Sequence, residues 1–227
     1  MINNKNANSW LYVVLAAAAM LMITMGARQS QGLFVFPISG STGVSIVTIS
    51  FAMAVGQFMW GAVAPVGGAG AGRFGPAPVL VSGVLILALG TALTPVLTTS
   101  SGLVFTIGIL TAIGAGAGSF SMLIGTVMGR LPPAHRGTAA GIITAGGLFG
   151  QLVFAPIAQT LISTWAWMTA MWSLSVFSLA ALPLIRPISG RSLNGDAERP
   201  GPADGGLRDV VKNAFADRSY LLLHASF

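Results

Sequence analysis

The sequence predicts an all-α membrane protein in which six transmembrane helices form one bundle. Three observations carry that prediction. Of the 227 residues, 54% are apolar and only 7% are charged, and the mean hydropathy is +0.81. A soluble domain carries roughly 25% charged residues because its surface must face water; a chain this poor in charge has lipid as its solvent. The apolar residues also gather into six runs, each near the ~20 residues that a bilayer core ~30 Å thick requires of a helix. Finally, Asp and Glu are absent from Met1 to Gly195, and all five acids lie between Asp196 and Asp217. Helices follow because every backbone polar group must be satisfied inside lipid. A β-barrel would show alternating segments of ~10 residues, and these runs do not alternate.

The first span is expected over Trp10–Phe36, after Lys5 and before Pro37, and it contains Arg28. A cleaved signal peptide is the rival reading of residues 1–27, but the run is longer than a typical h-region and apolar character resumes at Leu33. The second span is expected over Val44–Ala64, with Gln57 near its middle and a turn from Pro65 to Pro76 after it. The third follows over Ala77–Leu97 and the fourth over Gly102–Gly129, with Thr98 to Ser101 between them. The turn from Arg130 to Arg136 leads to the fifth, Gly137–Leu161, with Gln151 near its centre. Ile162 to Ala166 then leads to the sixth, Trp167–Arg186. Small residues recur at four-residue spacing in Gly114/Gly118, Gly125/Gly129, Gly137/Gly141 and Gly146/Gly150, a pattern that lets helix backbones approach closely.

Ten of the eleven basic residues fall before the first span, in the second and fourth turns, or at and beyond the end of the sixth. The alternate turns carry none. By the positive-inside rule that side is cytoplasmic, in a cell inner or plasma membrane, with the amino terminus and the segment after the sixth span both there. The net charge of +6 is scattered between apolar runs, with no patch that could track a phosphate backbone, so no nucleic-acid partner is expected. The chain divides into a bundle over residues 1–186 and an aqueous linker over 187–217, which holds every acid. Leu207, Val210, Val211, Ala214 and Phe215 recur at helical spacing in the linker, giving an amphipathic helix over about 206–217 for the membrane surface or for packing on loops. Residues 218–227 read as the start of a seventh, truncated span.

Arg28 is the informative residue. An arginine inside a span costs at least ~2.5–3.5 kcal/mol on the insertion scale, so it either faces a wet cavity with a task or snorkels to the headgroups. Thr24, Arg28 and Gln31 share one helical stripe, with Phe34 beyond them. The first six spans hold no carboxylate to neutralise the cation, which leaves an anionic substrate or a group from elsewhere as its partner. Gln57 and Gln151 are each helix–helix glue or cavity wall, since a buried amide must find a partner. Ser119, Phe120 and Ser121 are further candidates in the fourth span.

Catalysis has little to stand on. The two histidines, His135 and His224, lie outside the spans, so no base is within reach of an intramembrane serine. There is no cysteine, and neither a metal nor another cofactor is expected. Gly70-Ala71-Gly72-Arg73-Phe74-Gly75 matches G-x-G-x-x-G, but membrane spans flank it in place of a βαβ unit.

The segment Gly68-Ala69-Gly70-Ala71-Gly72-Arg73-Phe74-Gly75 resembles the signature loop of the major facilitator superfamily, usually Gly-x-x-x-Asp-Arg-x-Gly-x-Arg. Gly68, Arg73 and Gly75 match; Gly72 replaces the aspartate and Ala77 the second basic residue. Arg28-Gln29-Ser30-Gln31-Gly32-Leu33-Phe34 with Pro37 is similar to the first span of the monocarboxylate-transporter-like members, the group with the oxalate–formate antiporters. Arg130-Leu131-Pro132-Pro133 with Arg136, then Thr144-Ala145-Gly146-Gly147 and Gly150-Gln151, is similar to their fourth turn and fifth span. The resemblance implies half of a twelve-helix fold and a secondary active transporter of small organic anions, monocarboxylates above all, working by alternating access. It implies an anion site to which Arg28, Gln31, Gln57, Phe120 and Gln151 contribute, a gating loop at Gly68, Arg73 and Gly75, and a second six-helix bundle as partner. A six-helix assembly or regulatory protein that transports nothing is the alternative, and a homodimer of six-span units is a further one.

Overall fold

The computed structural model describes residues 4–190, and the expected linker, amphipathic helix and seventh span at 191–227 lie outside them. Among the described residues the chain is helical, without a strand. Six elements are long and apolar enough to cross a membrane: α1 (Trp10–Thr42), α2 (Ile46–Phe74), α3 (Pro76–Leu93), α4 (Ser100–Met128), α5 (Pro133–Trp165) and α6 (Trp167–Ser189). α1 packs most extensively on α5, α3 lies against both α4 and α6, and α2 rests on α4.

Several helices run further into the expected turns than composition suggests, whereas α3 ends at Leu93, short of the expected Leu97. Helix continues through Pro37 to Thr42, where Gly43 at φ 74° closes it with its N–H on the Ser39 carbonyl, 3.0 Å away. Only glycine takes that left-handed geometry without strain. Ser45 then caps α2, its hydroxyl accepting from the Thr48 N–H at 3.2 Å. The expected turn from Pro65 to Pro76 shrinks to Gly75 alone, at φ 87°, so Gly68 and Arg73 are helical residues of α2. Pro65 sits inside that helix; in membrane helices packing and local adjustment tolerate the missing N–H. Pro76 and Pro133 start α3 and α5, where a proline's absent donor would be unpaired in any case.

α4 is not the uniform helix its hydropathy suggests. Val104–Leu110 has π geometry, and the chain breaks again at Gly118 and Ser119 before Phe120–Met128. The π stretch lies directly on α2: a Cβ at Gly108 would fall 2.9 Å from the Ala52 carbonyl oxygen.

Close packing follows the small residues unevenly. A Cβ at Gly114 would fall 2.3 Å from the Leu87 nitrogen, and one at Gly150 would fall 2.1 Å from the Met22 oxygen. Gly146 meets Ala18 in the same seam, whereas Gly125, Gly137 and Gly141 have nothing within 4 Å. The buried apolar residues form two clusters, one around Leu21, Met25, Leu80 and Leu123, the other around Phe34, Ile49, Leu103 and Met171. Along α1 the chain passes from the first to the second between Met25 and Ala27, just before Arg28.

Arg130 ties the turn before α5 to the end of α6. Its Nη1 donates to the Pro187 carbonyl at 2.7 Å and also to that of Ile188. These carbonyls lie in a last helical turn and lack intrahelical donors, so a cation there meets both a hydrogen-bonding need and the helix dipole. Burial pulls the guanidinium's pKa below its ordinary value. Arg130→Ala is expected to destabilise the bundle by about 1.5–3 kcal/mol, the size of hydrogen bonds to a charged group. An unchanged thermal midpoint in mild detergent would remove the clamp from the account.

Candidate functional site

The site is built where α1 changes pitch. Regular α-helix ends at Gln29, and Ser30–Phe34 tightens to a 3-10 turn. The Ser30 hydroxyl donates back to the Gly26 carbonyl at 2.8 Å, holding this transition. Around it Arg28, Gln29, Gln31 and Gly32 line one cavity of about 110 Å³, closed by Met53, Gly56 and Gln57 of α2 and by Ile107, Thr111 and Ala112 of α4. That volume holds several waters or a small carboxylate. α2 and α4 come close enough to wall it because Gly56 faces the π stretch: a Cβ there would fall 3.3 Å from the Ile107 oxygen.

The partners of the Arg28 guanidinium are neutral. Nη2 donates to Oε1 of Gln57, and Nη1 donates to Oε1 of Gln29 at 3.3 Å. The guanidinium carbon stands 4.9 Å from the centroid of the Trp60 ring. No acid occurs before Asp196, so none of these contacts is an ion pair. Hydrogen bonds to a charged group contribute ~1.5–3 kcal/mol and a cation–π contact ~0.5–2 kcal/mol. Together they are large enough to offset the ~2.5–3.5 kcal/mol cost of placing an arginine in a span. They hold the cation in the membrane and, among the described residues, leave its charge without a counter-charge, the electrostatic condition for binding an anion.

Three expected site residues, Arg28, Gln31 and Gln57, meet at this cavity, with Gln31 buried and Gln57 exposed. Phe120 and Gln151 are not among its lining residues. Phe120 packs against Gly147 and Leu21, where a Cβ on Gly147 would fall 2.7 Å from its ring. Gln151 is half-buried on α5, next to the Gly150 seam. Thr24 donates to the Met20 carbonyl of its own helix at 3.0 Å, and Phe34 is fully buried in the second apolar cluster. The stripe Thr24, Arg28, Gln31, Phe34 is therefore divided between helix, cavity and core. Sequence reasoning missed Gln29, Trp60 and Thr111. Adjacency to Arg28 could have suggested Gln29, and spacing of three from Gln57 could have suggested Trp60. Thr111 depends on the π stretch before it and had no sequence signal.

Comparison with known proteins identifies the family of the chain. The chain is 31% identical over 160 residues to the oxalate:formate antiporter of Oxalobacter formigenes, an alignment covering 68% of this chain and 36% of that protein. It is 29% identical over 196 residues to monocarboxylate transporter 13 of Rattus norvegicus, covering 85% and 44% respectively. The Bos taurus form is 29% identical over 183 residues, covering 79% and 42%. The chain thus spans less than half the length of these relatives. Residues 11–227 match the profile of the Major Facilitator Superfamily. With six apolar helices and a family match over nearly its whole length, this multi-pass membrane chain belongs to the Major Facilitator Superfamily of transporters.

Proposed function

We propose that the chain is the amino-terminal part of a secondary transporter of small organic anions, monocarboxylates in particular, working by alternating access. The observation that carries the reading is Arg28: an intramembrane cation lining a small cavity, restrained by two amides and an indole, in spans that hold no acid. The names of the relatives, an oxalate:formate antiporter and monocarboxylate transporters, support the same substrate class. In this reading a carboxylate approaches the free edge of the guanidinium, Gln31 orients it, and Met53 and Ile107 receive its apolar part. A second six-helix bundle, from the length these relatives have in addition, closes the site from the other side. The end of the bundle that carries Arg73, Arg130 and Arg136 faces the cytoplasm in a cell inner or plasma membrane.

The test is uptake of radiolabelled formate, lactate and oxalate by the intact transporter in proteoliposomes. Arg28→Gln is expected to reduce uptake of the transported anion to background, with insertion unchanged. Full uptake by the inserted variant would dismiss Arg28 as the anion site, and no uptake of any of the three by the unmodified protein would dismiss the substrate class.

A further inference from the structure

We propose that Trp60 is the positioning residue of the anion site: its ring face holds the Arg28 guanidinium over the cavity in the place a carboxylate would otherwise take. The inference rests on the assignment of Arg28 to that site. A buried acid beside Arg28 would fix it equally well, but it would consume the charge. A ring face restrains the cation without neutralising it.

The geometry suits that role in three ways. Trp60 lies three residues after Gln57 on α2, so one helix supplies both a hydrogen-bond acceptor for the guanidinium and a ring over which the cation stands. The guanidinium is planar, with five N–H donors around its rim. Gln29 and Gln57 accept one bond each from Nη1 and Nη2, and the indole accepts none through a lone pair, so the rest of the rim remains for a bidentate carboxylate. The platform is also anchored. A Cβ on Gly116 would fall 3.2 Å from the Trp60 carbonyl oxygen, so the α2 backbone here lies directly on α4.

The indole N–H supplies an independent observation. It is buried and has no hydrogen-bond partner among the described residues. An unmet buried donor is costly, and phenylalanine or leucine would fill the space without one. With its N–H unpartnered, the polar contact this tryptophan makes is through its ring, and tryptophan offers the strongest cation–π face of the aromatic residues.

The experiment keeps the shape of the residue and changes only its π face. Mono-, di- and trifluorotryptophan are introduced at position 60 alone in the intact transporter. Uptake of radiolabelled formate, lactate and oxalate is then measured in proteoliposomes. KM for the transported anion is expected to rise stepwise with fluorination, reaching about 3- to 30-fold, while the maximal rate stays near that of the unmodified protein. A role in packing alone would not produce that trend, because the ring and its N–H are retained throughout. Trp60→Phe is expected to stay within about threefold of the unmodified KM, and Trp60→Leu to resemble the trifluoro form. A KM that is flat across the fluorinated series overturns the proposal. So does a Trp60→Phe variant as impaired as Trp60→Leu, which would assign the effect to the size of the indole and not to its π face. If Arg28→Gln abolishes uptake while the series is flat, only the role of Trp60 fails. If Arg28→Gln retains uptake, the anion-site assignment itself fails.

Discussion

Replacing Gly150 with alanine is expected to lower the thermal midpoint of the bundle by roughly 4–12 °C, the same change at Gly141 being neutral. The two glycines lie on one helix nine residues apart, and their surroundings differ completely. A methyl group at Gly150 would fall 2.1 Å from the Met22 oxygen and 2.8 Å from its carbonyl carbon, whereas Gly141 has nothing within 4 Å. The obstruction is backbone, so no side chain can swing aside. The neighbouring contacts leave no slack either: a Cβ at Gly146 would fall 2.6 Å from the Ala18 oxygen, and one at Gly26 would fall 2.9 Å from the Gly150 oxygen. α1 and α5 would have to separate along the whole seam. Lipid supplies no hydrophobic force to press them together again, because helix association in membranes relies on packing and hydrogen bonds. Size-exclusion profiles and thermal unfolding in mild detergent read the difference. A Gly150→Ala protein as stable as Gly141→Ala would show that the seam is not a tight one.

Gln57→Glu is expected to lower anion uptake at least tenfold while raising thermal stability. The amide oxygen of Gln57 already accepts from Arg28, so a carboxylate at the same position gains an ion pair without any rearrangement. Position 57 is exposed and Arg28 half-buried, so the gain is modest, like the ~0.2–1 kcal/mol of an exposed pair. The charge that the proposed substrate requires would then be occupied by the protein itself, and the arriving anion would meet the repulsion of the introduced carboxylate. Loss of transport combined with gain of stability separates this outcome from simple damage. Unchanged uptake in the inserted variant would mean that the cation at Arg28 is not where the substrate binds.

The spans were legible because a bilayer imposes its thickness on hydropathy, and six apolar runs leave little freedom of placement. Helix ends were less legible. Residues Pro65 to Phe74 have the glycine and proline content of a turn, yet glycine is the residue that close helix contacts demand: a Cβ at Gly67 would fall 3.3 Å from the Ala117 Cα. Composition cannot separate the two uses. Arg28 stood out because an intramembrane charge is costly wherever it is placed. Gln57 was identifiable as a polar residue in lipid, but its partner could be known only once α1 and α2 were side by side. Phe120 and Gln151 share the residue types of a binding site and do not line the Arg28 cavity; the phase of Phe120 follows the π stretch and the break at Gly118-Ser119, which composition does not announce. Trp60 escaped attention because an aromatic in a span is ordinary until a cation is found above it.

The pairing of Arg28 with groups on α2 also bears on how the protein is assembled. α1 precedes α2 in the chain, and Gln57 follows Arg28 by 29 residues. While only the first of these helices has left the ribosome, the guanidinium has neither the Gln57 amide nor the indole, and its cost of a few kcal/mol is offset only by the apolar remainder of its own helix. The two helices are therefore best delivered to the bilayer as a hairpin, the second arriving as chaperone to the first. A charge placed for the use of the mature protein in this way dictates the order of events at its biogenesis.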